Sequence, residues 1–359
     1  MMKKIFAILL VVTMVLTIAA CGGNEPAEDT AGTTTTTAET TTTTTEAENT
    51  TTTVEDTTTT ATEGTAPTED ATTTTTEAPT TTTTTTTKKP TTTTTTAPKN
   101  PGNVPKSIKI LSVGNSFSVD AMQNHLYQMF EAAGCTDIRL GILYIGGCSI
   151  DKHYDCIRLD TEEYEYYENV NGAWQKTPNY KASDAFKLTD WDIVTLQQVS
   201  SDSGRGISYG NLGALVDLIR PQIGDAKMYW HMTWAYQQDS KHPDFGNYNK
   251  DQMRMYKGII RATTEKIVGN EDFVGIIPSG TSIQNLRTSS LGDTLTADGY
   301  HLLDSFGDYT ASLTWFCYLT GADAETMTYR PNSVARNFDE IAESVNNAMK
   351  TPLAVTECK

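Results

Sequence analysis

The chain has 359 residues, a formal net charge of −17 and 38% hydrophobic residues, and its composition changes sharply along its length. Residues 31–100 contain 41 threonines. So little apolar surface cannot offset the entropy of folding, so we expect this stretch to be disordered. The length from Val104 to Lys359 suits one large domain or two small ones. That part carries a charge of −10, which repels phosphate backbones and disfavours a nucleic-acid partner.

The first 21 residues have the pattern of a bacterial export signal. Lys3 and Lys4 precede an apolar run over residues 5–18 that is too short to span a bilayer comfortably. The run leads through Ile-Ala-Ala to Cys21 and two glycines, which resembles the lipobox of bacterial lipoproteins. The sequence therefore predicts a lipoprotein signal peptide over 1–21, with Cys21 diacylated. The protein is expected outside the cytoplasm at the bacterial cell surface, with this lipid anchor as its membrane contact.

Residues 22–103 are predicted to form a disordered, Thr-rich linker between the anchor and the folded part. As a random coil, such a segment has an end-to-end distance of roughly 50 Å, and a stiffer chain would reach farther. Threonine runs with interspersed prolines are also typical of O-glycosylated stalks. Function is therefore expected to lie in residues 104–359.

Strands and helices are predicted to alternate in the folded part. Short β-branched runs indicate strands over 107–113, 138–145, 191–196, 227–232 and 273–277. Helical spacing of apolar residues indicates helices over 120–133, 212–220, 248–268, 302–319 and 333–349. Such alternation is typical of parallel β-α-β units. The sequence thus predicts an α/β fold, a three-layer α/β/α sandwich around a mostly parallel five-stranded sheet.

Residues 160–182 interrupt this alternation. They contain an aromatic run, then Asn171-Gly172, which is a strong signal for a type I′ turn between two antiparallel strands. We interpret the segment as a β-hairpin insertion that forms a flap.

Small and hydrogen-bonding residues follow the predicted strands. In open α/β sheets ligands bind beyond the carboxyl ends of the strands, so these residues predict a site. They are Gly114 to Ser118, Gly146 to Ser149, Gln197 and Gln198, and His231 to Trp234.

Ser116 lies where the first strand turns into the first helix. A hydroxyl there is exposed at the sheet edge, near backbone N–H groups that can hold an oxyanion, so Ser116 is a candidate nucleophile. The alternative is that Ser116 or Ser118 only caps the helix. Because Ser118 or Asp120 can supply the cap, Ser116 is left free for chemistry.

A serine nucleophile needs a base, and the base needs a group that orients it. His301 lies just before the last long helices, and Asp298 precedes it by three residues, close enough for its carboxylate to reach the imidazole. The alternative is that Asp298 caps a helix and His301 is an ordinary residue of its first turn.

Five stretches of the chain carry a more specific pattern. They are Ile110 to Ser118, Leu143 to Ser149, Asp190 to Gln198, Thr233 to Tyr236 and Leu295 to His301. Together they resemble the SGNH, or GDSL-type, hydrolases, and more closely the DUF4886 group of bacterial domains in that superfamily. The resemblance spans about residues 107–321 and implies a flavodoxin-like α/β/α fold with serine esterase activity.

The resemblance also implies roles for individual residues. Ser116 would be the nucleophile, His301 the base and Asp298 its orienter. The superfamily usually supplies an asparagine side chain to the oxyanion hole, whereas this chain has two glutamines at that place. The implied donors are the backbone N–H groups of Ser116 and Gly147 and the side-chain amide of Gln198 or Gln197.

Two other residues are candidate nucleophiles, Ser208 and Cys148. Residues 206–210 fit G-x-S-x-G around Ser208, but about nine polar residues separate them from the preceding strand, whereas a nucleophile elbow follows its strand directly. Cys148 has no histidine assigned to it. In an exported protein, Cys148 and Cys156 could instead form a disulfide beside the oxyanion glycine.

No cofactor or metal is expected. The chain has no H-E-x-x-H or C-x-x-C motif, and its histidines have no spacing typical of metal ligands. They lie at positions 125, 153, 231, 242 and 301.

Aromatic side chains after the fourth strand suggest the substrate. With His242, an exposed rim of Trp230, Trp234, Tyr236 and Trp174 would suit a sugar face, although core packing is an equal alternative for Trp230. The sequence thus favours a surface-anchored serine esterase that removes O-acetyl groups from polysaccharide. The alternative, from another class, is a non-catalytic carbohydrate- or solute-binding lipoprotein on the same scaffold.

Overall fold

The computed structural model describes residues 99–359. The predicted signal peptide, the lipidated Cys21 and most of the predicted linker lie outside these residues. The folded part begins a few residues before the predicted boundary at Val104. The side chain of Asn100 donates to the carbonyl of Gly321 over 2.8 Å. The N–H of Asn103 donates to the carbonyl of Thr320 over 2.7 Å.

The described residues form one seven-stranded sheet. Its strands in chain order are β1 Ser107–Gly114, β2 Asp137–Tyr144, β3 Tyr164–Asn169, β4 Trp174–Tyr180, β5 Ile193–Leu196, β6 Lys227–His231 and β7 Gly275–Ile277. Their spatial order is β4-β3-β2-β1-β5-β6-β7. The five strands β2, β1, β5, β6 and β7 are parallel, in the doubly wound order expected of a flavodoxin-like sheet. This confirms the predicted α/β class and its parallel core.

The strand count is a correction. The predicted flap is an integral part of the sheet, because β3 pairs antiparallel with β2 and β4 pairs antiparallel with β3. Tyr164 and Tyr166 of β3 alternate inward and are buried, and the ring of Tyr166 stacks on Tyr180 with centroids 4.7 Å apart. Without the hairpin β2 would be an unpaired edge strand, which proteins commonly cover.

Ten helices flank this sheet in the described part of the chain. They are α1 Ser116–Met122, α2 Leu126–Ala132, α3 Ile150–Leu159, α4 Ala182–Lys187, α5 Leu212–Ile219, α6 Gln252–Lys266, α7 Ser279–Leu286, α8 Phe306–Thr320, α9 Asn332–Ala335 and α10 Phe338–Lys350. The single helix predicted over 120–133 is two helices, and α3, α4 and α7 were not predicted. Residues 279–286 are buried on all sides, so α7 lacks the apolar stripe by which a surface helix is recognised.

The helices form two layers. On one face of the sheet α1, α2, α7 and α10 pack against α8, whose residues are almost all buried. On the other face α3 packs against α4 and α5. No helix within residues 99–359 combines the length and hydropathy of a membrane span. The carboxyl ends of β1, β2, β5 and β6 meet at one edge, and the candidate site lies there.

Candidate active site

The turn from β1 into α1 presents Ser116 at the sheet edge. Asn115 supplies the helix cap, because its side-chain oxygen accepts a hydrogen bond from the N–H of Phe117 over 3.1 Å. Ser118 or Asp120 was expected to supply this cap, and neither residue does. Capping by Asn115 leaves the Ser116 hydroxyl free to face the cavity.

The structure brings Ser116, His301 and Asp298 together. The Ser116 Oγ and the Nε2 of His301 are 2.8 Å apart, and the Nδ1 of His301 and the Oδ2 of Asp298 are 2.7 Å apart. A carboxylate can only accept, so the proton lies on Nδ1, and Nε2 of the neutral ring accepts from the serine hydroxyl. This is the arrangement in which an imidazole can remove the proton of a serine.

Asp298 is held as a carboxylate by its own loop. Its Oδ1 accepts from the backbone N–H groups of Tyr300 and His301 over 3.1 and 2.8 Å. Partial burial raises the pKa of Asp298, but these hydrogen bonds and the one from the imidazole outweigh it, so its pKa lies below its ordinary value. The ionised side chain can therefore orient His301 and stabilise an imidazolium.

A second contact ties α1 to the histidine loop. The Oδ2 of Asp120, one helical turn after Ser116, accepts from the N–H of Leu302 over 2.9 Å. Serine and histidine are thus joined both directly and through the residues beside them. Burial raises the pKa of Asp120 to about 7, although the Leu302 N–H and His301 act in the opposite direction.

A cavity of about 330 Å³ lies in front of Ser116 and His301. The loops that follow β1, β2, β5 and β6 line it together with the loop of His301: Asn115, Tyr144, Gly146, Gly147, Val199, Ser200, Ser201, His242, Asp244 and Tyr300. Gly147 has φ +62°, so the turn after β2 relies on a glycine here. Within residues 99–359, no hydrogen bond engages the backbone N–H of Ser116 or of Gly147. Both N–H groups remain available to a ligand oxygen.

The comparisons with known proteins agree with this architecture. The family model DUF4886, described as a domain of unknown function, matches residues 109–349. The crystal structure of a DUF4886 family protein from Bacteroides uniformis is 38% identical, with a TM-score of 0.67, and covers 70% of this chain and 98% of its own. The chain belongs to the DUF4886 family.

More distant structures are also similar to this DUF4886 chain. A protein from Slackia heliotrinireducens provisionally assigned to the SGNH hydrolases is 17% identical with a TM-score of 0.37, over 58% of this chain and 97% of its own. An acetyl xylan esterase is 15% identical with a TM-score of 0.36, over 59% of this chain and 100% of its own. No curated protein matches the sequence.

The glutamine pair does not point into the cavity, which corrects the expected oxyanion donor. The Nε2 of Gln197 donates to the Oδ1 of Asn115 over 2.6 Å. The Nε2 of Gln198 donates to the carbonyl and hydroxyl oxygens of Ser208 over 2.8 and 3.0 Å, and its Oε1 accepts from the N–H of Ile150 over 3.0 Å. Both amides are committed to the protein scaffold, so neither serves as the side-chain donor.

The predicted aromatic rim is wrong for Trp234 and Tyr236, which are buried, and Trp230 is buried as the alternative of core packing expected. Trp234 instead supports the site from below. Its ring stacks on Phe117 with centroids 4.2 Å apart, and its Nε1 donates to the carbonyl of Tyr300 over 2.8 Å. Large aromatic residues after a strand can be either exposed or buried, and here they fill the space beneath the loop that carries Asp298 and His301.

His242 does line the cavity, where its ring packs against Tyr300 with centroids 4.8 Å apart. Its contact with substrate remains a prediction. Trp174 lies on β4 at the far edge of the sheet and donates its Nε1 to the carbonyl of Gln123 over 2.8 Å. It does not line the cavity.

The competing nucleophiles have structural roles in this DUF4886 domain. The Ser208 hydroxyl contacts the carbonyls of Asp202 and Arg205, and no histidine contacts it within residues 99–359. Cys148 and Cys156 are buried free thiols rather than a disulfide. Burial raises the pKa of the Cys148 thiol, which keeps it protonated and unreactive.

Six cavity residues were missed: Tyr144, Val199, Ser200, Ser201, Asp244 and Tyr300. Two of them had a signal in the sequence. Tyr144 ends a predicted strand, and Tyr300 precedes His301 in the same loop. The two serines follow a strand by three or more residues, beyond the positions that strand ends were expected to bring together.

Proposed function

We propose that this protein is a surface-anchored serine hydrolase that cleaves carboxylic esters, with O-acetylated polysaccharide as its substrate. The observation that carries the proposal is the continuous hydrogen-bonded path from Ser116 through His301 to Asp298, at the mouth of a cavity. Asp120 and Trp234 hold this path from two sides.

In the proposed reaction, the Ser116 Oγ attacks the carbonyl carbon of the ester while its proton passes to the Nε2 of His301. Asp298 stabilises the imidazolium. The N–H groups of Ser116 and Gly147 hold the developing oxyanion, and such donors contribute roughly 2.7–4 kcal/mol each in comparable sites. The imidazolium then protonates the leaving alcohol. Water, deprotonated by the same ring, attacks the acyl-enzyme and releases the acid.

The size and lining of the cavity support a small acyl group on a polar alcohol. A volume of about 330 Å³ is at the lower end for small-molecule sites. Ser200, Ser201, His242 and Tyr300 border it. The predicted lipid anchor and long linker would place the site outside the cell, where polysaccharide is the abundant carrier of acetyl esters.

The test is release of nitrophenol from a nitrophenyl acetate and of acetate from acetylated xylan. We expect turnover by the wild-type chain and a loss of at least a thousandfold in Ser116→Ala. Ser208→Ala serves as the matched control and should retain turnover of both esters, because its hydroxyl contacts only the protein. If Ser116→Ala and the wild type hydrolyse both esters equally, the triad is not the catalytic machinery.

A non-catalytic binding protein is the second candidate, because neither Gln197 nor Gln198 is free to donate to an oxyanion. A fluorophosphonate that labels activated serines separates the two functions. Stoichiometric labelling at Ser116 supports the hydrolase. Glycan binding without labelling supports the binding protein.

A further inference from the structure

A second cleft, of about 690 Å³, lies on the other side of the loop that borders the catalytic cavity. Four cationic side chains line it: Arg205, Arg254, Lys257 and Arg261. A single acidic residue, Asp251, lines it with them. This concentration of positive charge stands out because the folded part of the chain is acidic as a whole.

Three of these cations share one face of α6. Arg254, Lys257 and Arg261 are spaced three and four residues apart, so they form a row about 10 Å long along the helix. All three are exposed, and within residues 99–359 their side chains form no ion pair and no hydrogen bond. A row of unpaired cations is electrostatically unsatisfied and attracts an anionic ligand.

The acidic groups near the row offset its charge only in part. Asp251 caps α6 by accepting from the N–H of Arg254 over 2.7 Å. Asp202 pairs with Arg205 over 2.6 Å. Glu265 lies one turn after Arg261 on α6, beside Gly206 of the cleft, and lowers the net charge at that end of the row. The remaining positive charge therefore faces the open cleft.

The cleft also has an apolar border. Ile207 is 87% exposed and Met253 is 38% exposed, and both line it. A ligand that combines negative charge with C–H surfaces would match both features. A polysaccharide that carries carboxylates has this combination, since its sugar rings present apolar faces between the charges.

One loop, which contains Ser201 and Gly204, separates the cleft from the cavity in front of Ser116. The hydroxyl of Tyr248 donates to the carbonyl of Ser201 and accepts from the N–H of Gly204, both over 3.0 Å. Ser201 lines the cavity, whereas Gly204 and Tyr248 line the cleft. The loop also lies directly on α6, because a Cβ at Gly258 would come within 3.0 Å of the Gly204 carbonyl. One extended chain can therefore contact both places.

We propose that this cleft is a binding subsite for an anionic, carboxylate-bearing polysaccharide, whose ester groups then reach Ser116. Binding of the polysaccharide to this cleft does not require hydrolysis at Ser116. The statement that the bound chain is also the substrate rests on the proposed function. The acidic remainder of the domain would repel a polyanion everywhere else, so affinity depends on this row of cations.

The test uses the full chain, purified in uncharged detergent, with the Ser116→Ala substitution so that binding is measured without turnover. Polygalacturonate is the probe, and neutral xylan of similar length is the comparison. We expect binding of polygalacturonate that weakens as salt is added, because salt screens exposed charges. The triple variant Arg254→Glu, Lys257→Glu, Arg261→Glu should bind at least tenfold more weakly.

A matched variant carries the same change of charge elsewhere on the surface: Lys187→Glu, Arg336→Glu, Lys350→Glu. It should bind polygalacturonate within about twofold of its parent. Equal weakening in both triple variants would show a general charge effect and overturn the proposal, as would equal affinity for xylan. Equal affinity for DNA or for a polyphosphate would likewise overturn it, since the cleft would then not select a carboxylated glycan.

The two proposals fail separately. In the active chain, the α6 triple variant should hydrolyse nitrophenyl acetate at the wild-type rate and lose activity on acetylated polygalacturonate through KM. Binding without any hydrolysis would leave the subsite in place and remove the proposed esterase. Hydrolysis without charge-dependent binding would support the proposed esterase and overturn the proposed subsite.

Discussion

The imidazole of His231 donates a hydrogen bond from its Nδ1 to the Oε1 of Gln197 over 2.8 Å, beneath the turn that carries Ser116. Its Nε2 accepts from the hydroxyl of Ser279 over 3.1 Å. Burial lowers the pKa of His231 to about 3, so the ring stays neutral and keeps one donor and one acceptor. A neutral ring of fixed tautomer can therefore aim the Gln197 amide.

Gln197 in turn orients the turn that carries Gly147. Its Nε2 donates to the Oδ1 of Asn115, and the Nδ2 of Asn115 donates to the carbonyl of Cys148 over 3.1 Å. Cys148 directly follows Gly147. The path thus links the ends of β6, β5, β1 and β2, and it positions the Gly147 N–H relative to Ser116 without touching substrate.

We predict that Gln197→Leu lowers kcat by ten- to a hundredfold and changes KM for a small ester by less than threefold. Loss of the amide leaves the buried Nδ1 of His231 without its acceptor, at a cost of about 1–3 kcal/mol in unfolding free energy, and removes one of the two donors to the Oδ1 of Asn115. Steady-state kinetics and urea unfolding measure the two effects. Gln284→Leu, at another buried glutamine, should lower stability with kcat unchanged. Equal loss of kcat in both variants would show that stability alone is responsible.

The lowered pKa of the buried His231 also predicts how the stability of the fold changes in acid. Its pKa is about 3 in the folded state and near 6.5 when unfolded, so the unfolded state binds the extra proton between these values. This contribution to stability is complete above pH 6.5 and is lost as the pH falls towards 3, by roughly 4–5 kcal/mol in all. In His231→Asn, urea unfolding between pH 4.5 and 7 should show a shallower loss of stability. A wild-type slope in the variant would contradict the buried neutral ring.

Asp120 has the opposite effect on how stability changes with pH. Its folded pKa of about 7 exceeds the unfolded value of 3.8, so the folded state binds more protons between these values and stability falls as the pH rises through them. Asp120→Asn keeps an acceptor for the Leu302 N–H but cannot ionise, so its stability relative to wild type should rise from pH 4 to pH 7. For a fully buried group the gain is about 4 kcal/mol, and it is smaller here because Asp120 is half-buried.

Asp120→Ala separates charge from hydrogen bonding. It also removes the charge, but it leaves the Leu302 N–H without its acceptor. We expect this variant to lose kcat on a small ester at every pH, while Asp120→Asn retains it at pH 5. Identical kinetics of the two variants at pH 5 would rule out a positioning role for the contact between α1 and the histidine loop.

Much of this arrangement could be predicted from the positions of small and polar residues after the strands. Ser116 was predicted in this way because strand ends in a parallel sheet converge on one edge. His301 was predicted because a serine nucleophile needs a base, and Asp298 because it precedes the histidine in one loop. The parallel core followed from the alternation of strands and helices, whose periodicities are properties of local sequence.

The direction in which a side chain points could not be predicted in the same way. Gln197 and Gln198 follow β5 as expected, but their partners come from α1, α3, β6 and the 206–209 turn, which only the folded chain brings together. Trp234 is an aromatic residue at a strand end, where exposure and burial have the same local pattern. The hairpin was recognised, but its pairing with β2 depends on a contact between distant segments.

Gly299 provides the last prediction, because the loop that carries Asp298 and His301 depends on it. It has φ +95°, which disfavours any residue with a Cβ, and a Cβ there would lie 2.9 Å from the Oγ and 3.0 Å from the Cα of Ser240. Its carbonyl accepts from the N–H of Gln237 over 2.8 Å, so the two loops are locked together. Gly299→Ala must therefore displace the histidine loop, and we expect kcat on a small ester to fall by at least tenfold.

Gly269→Ala is the matched control for Gly299→Ala. Gly269 has φ +78°, but a Cβ there would meet no atom within 4 Å. Both variants should lose about 1–2 kcal/mol of unfolding free energy through backbone strain, and only Gly299→Ala should lose activity. Fluorophosphonate labelling of Ser116 gives an independent measure, since labelling requires His301 to reach the serine. If Gly299→Ala is labelled at the wild-type rate, the close packing of Gly299 on Ser240 does not set the position of His301.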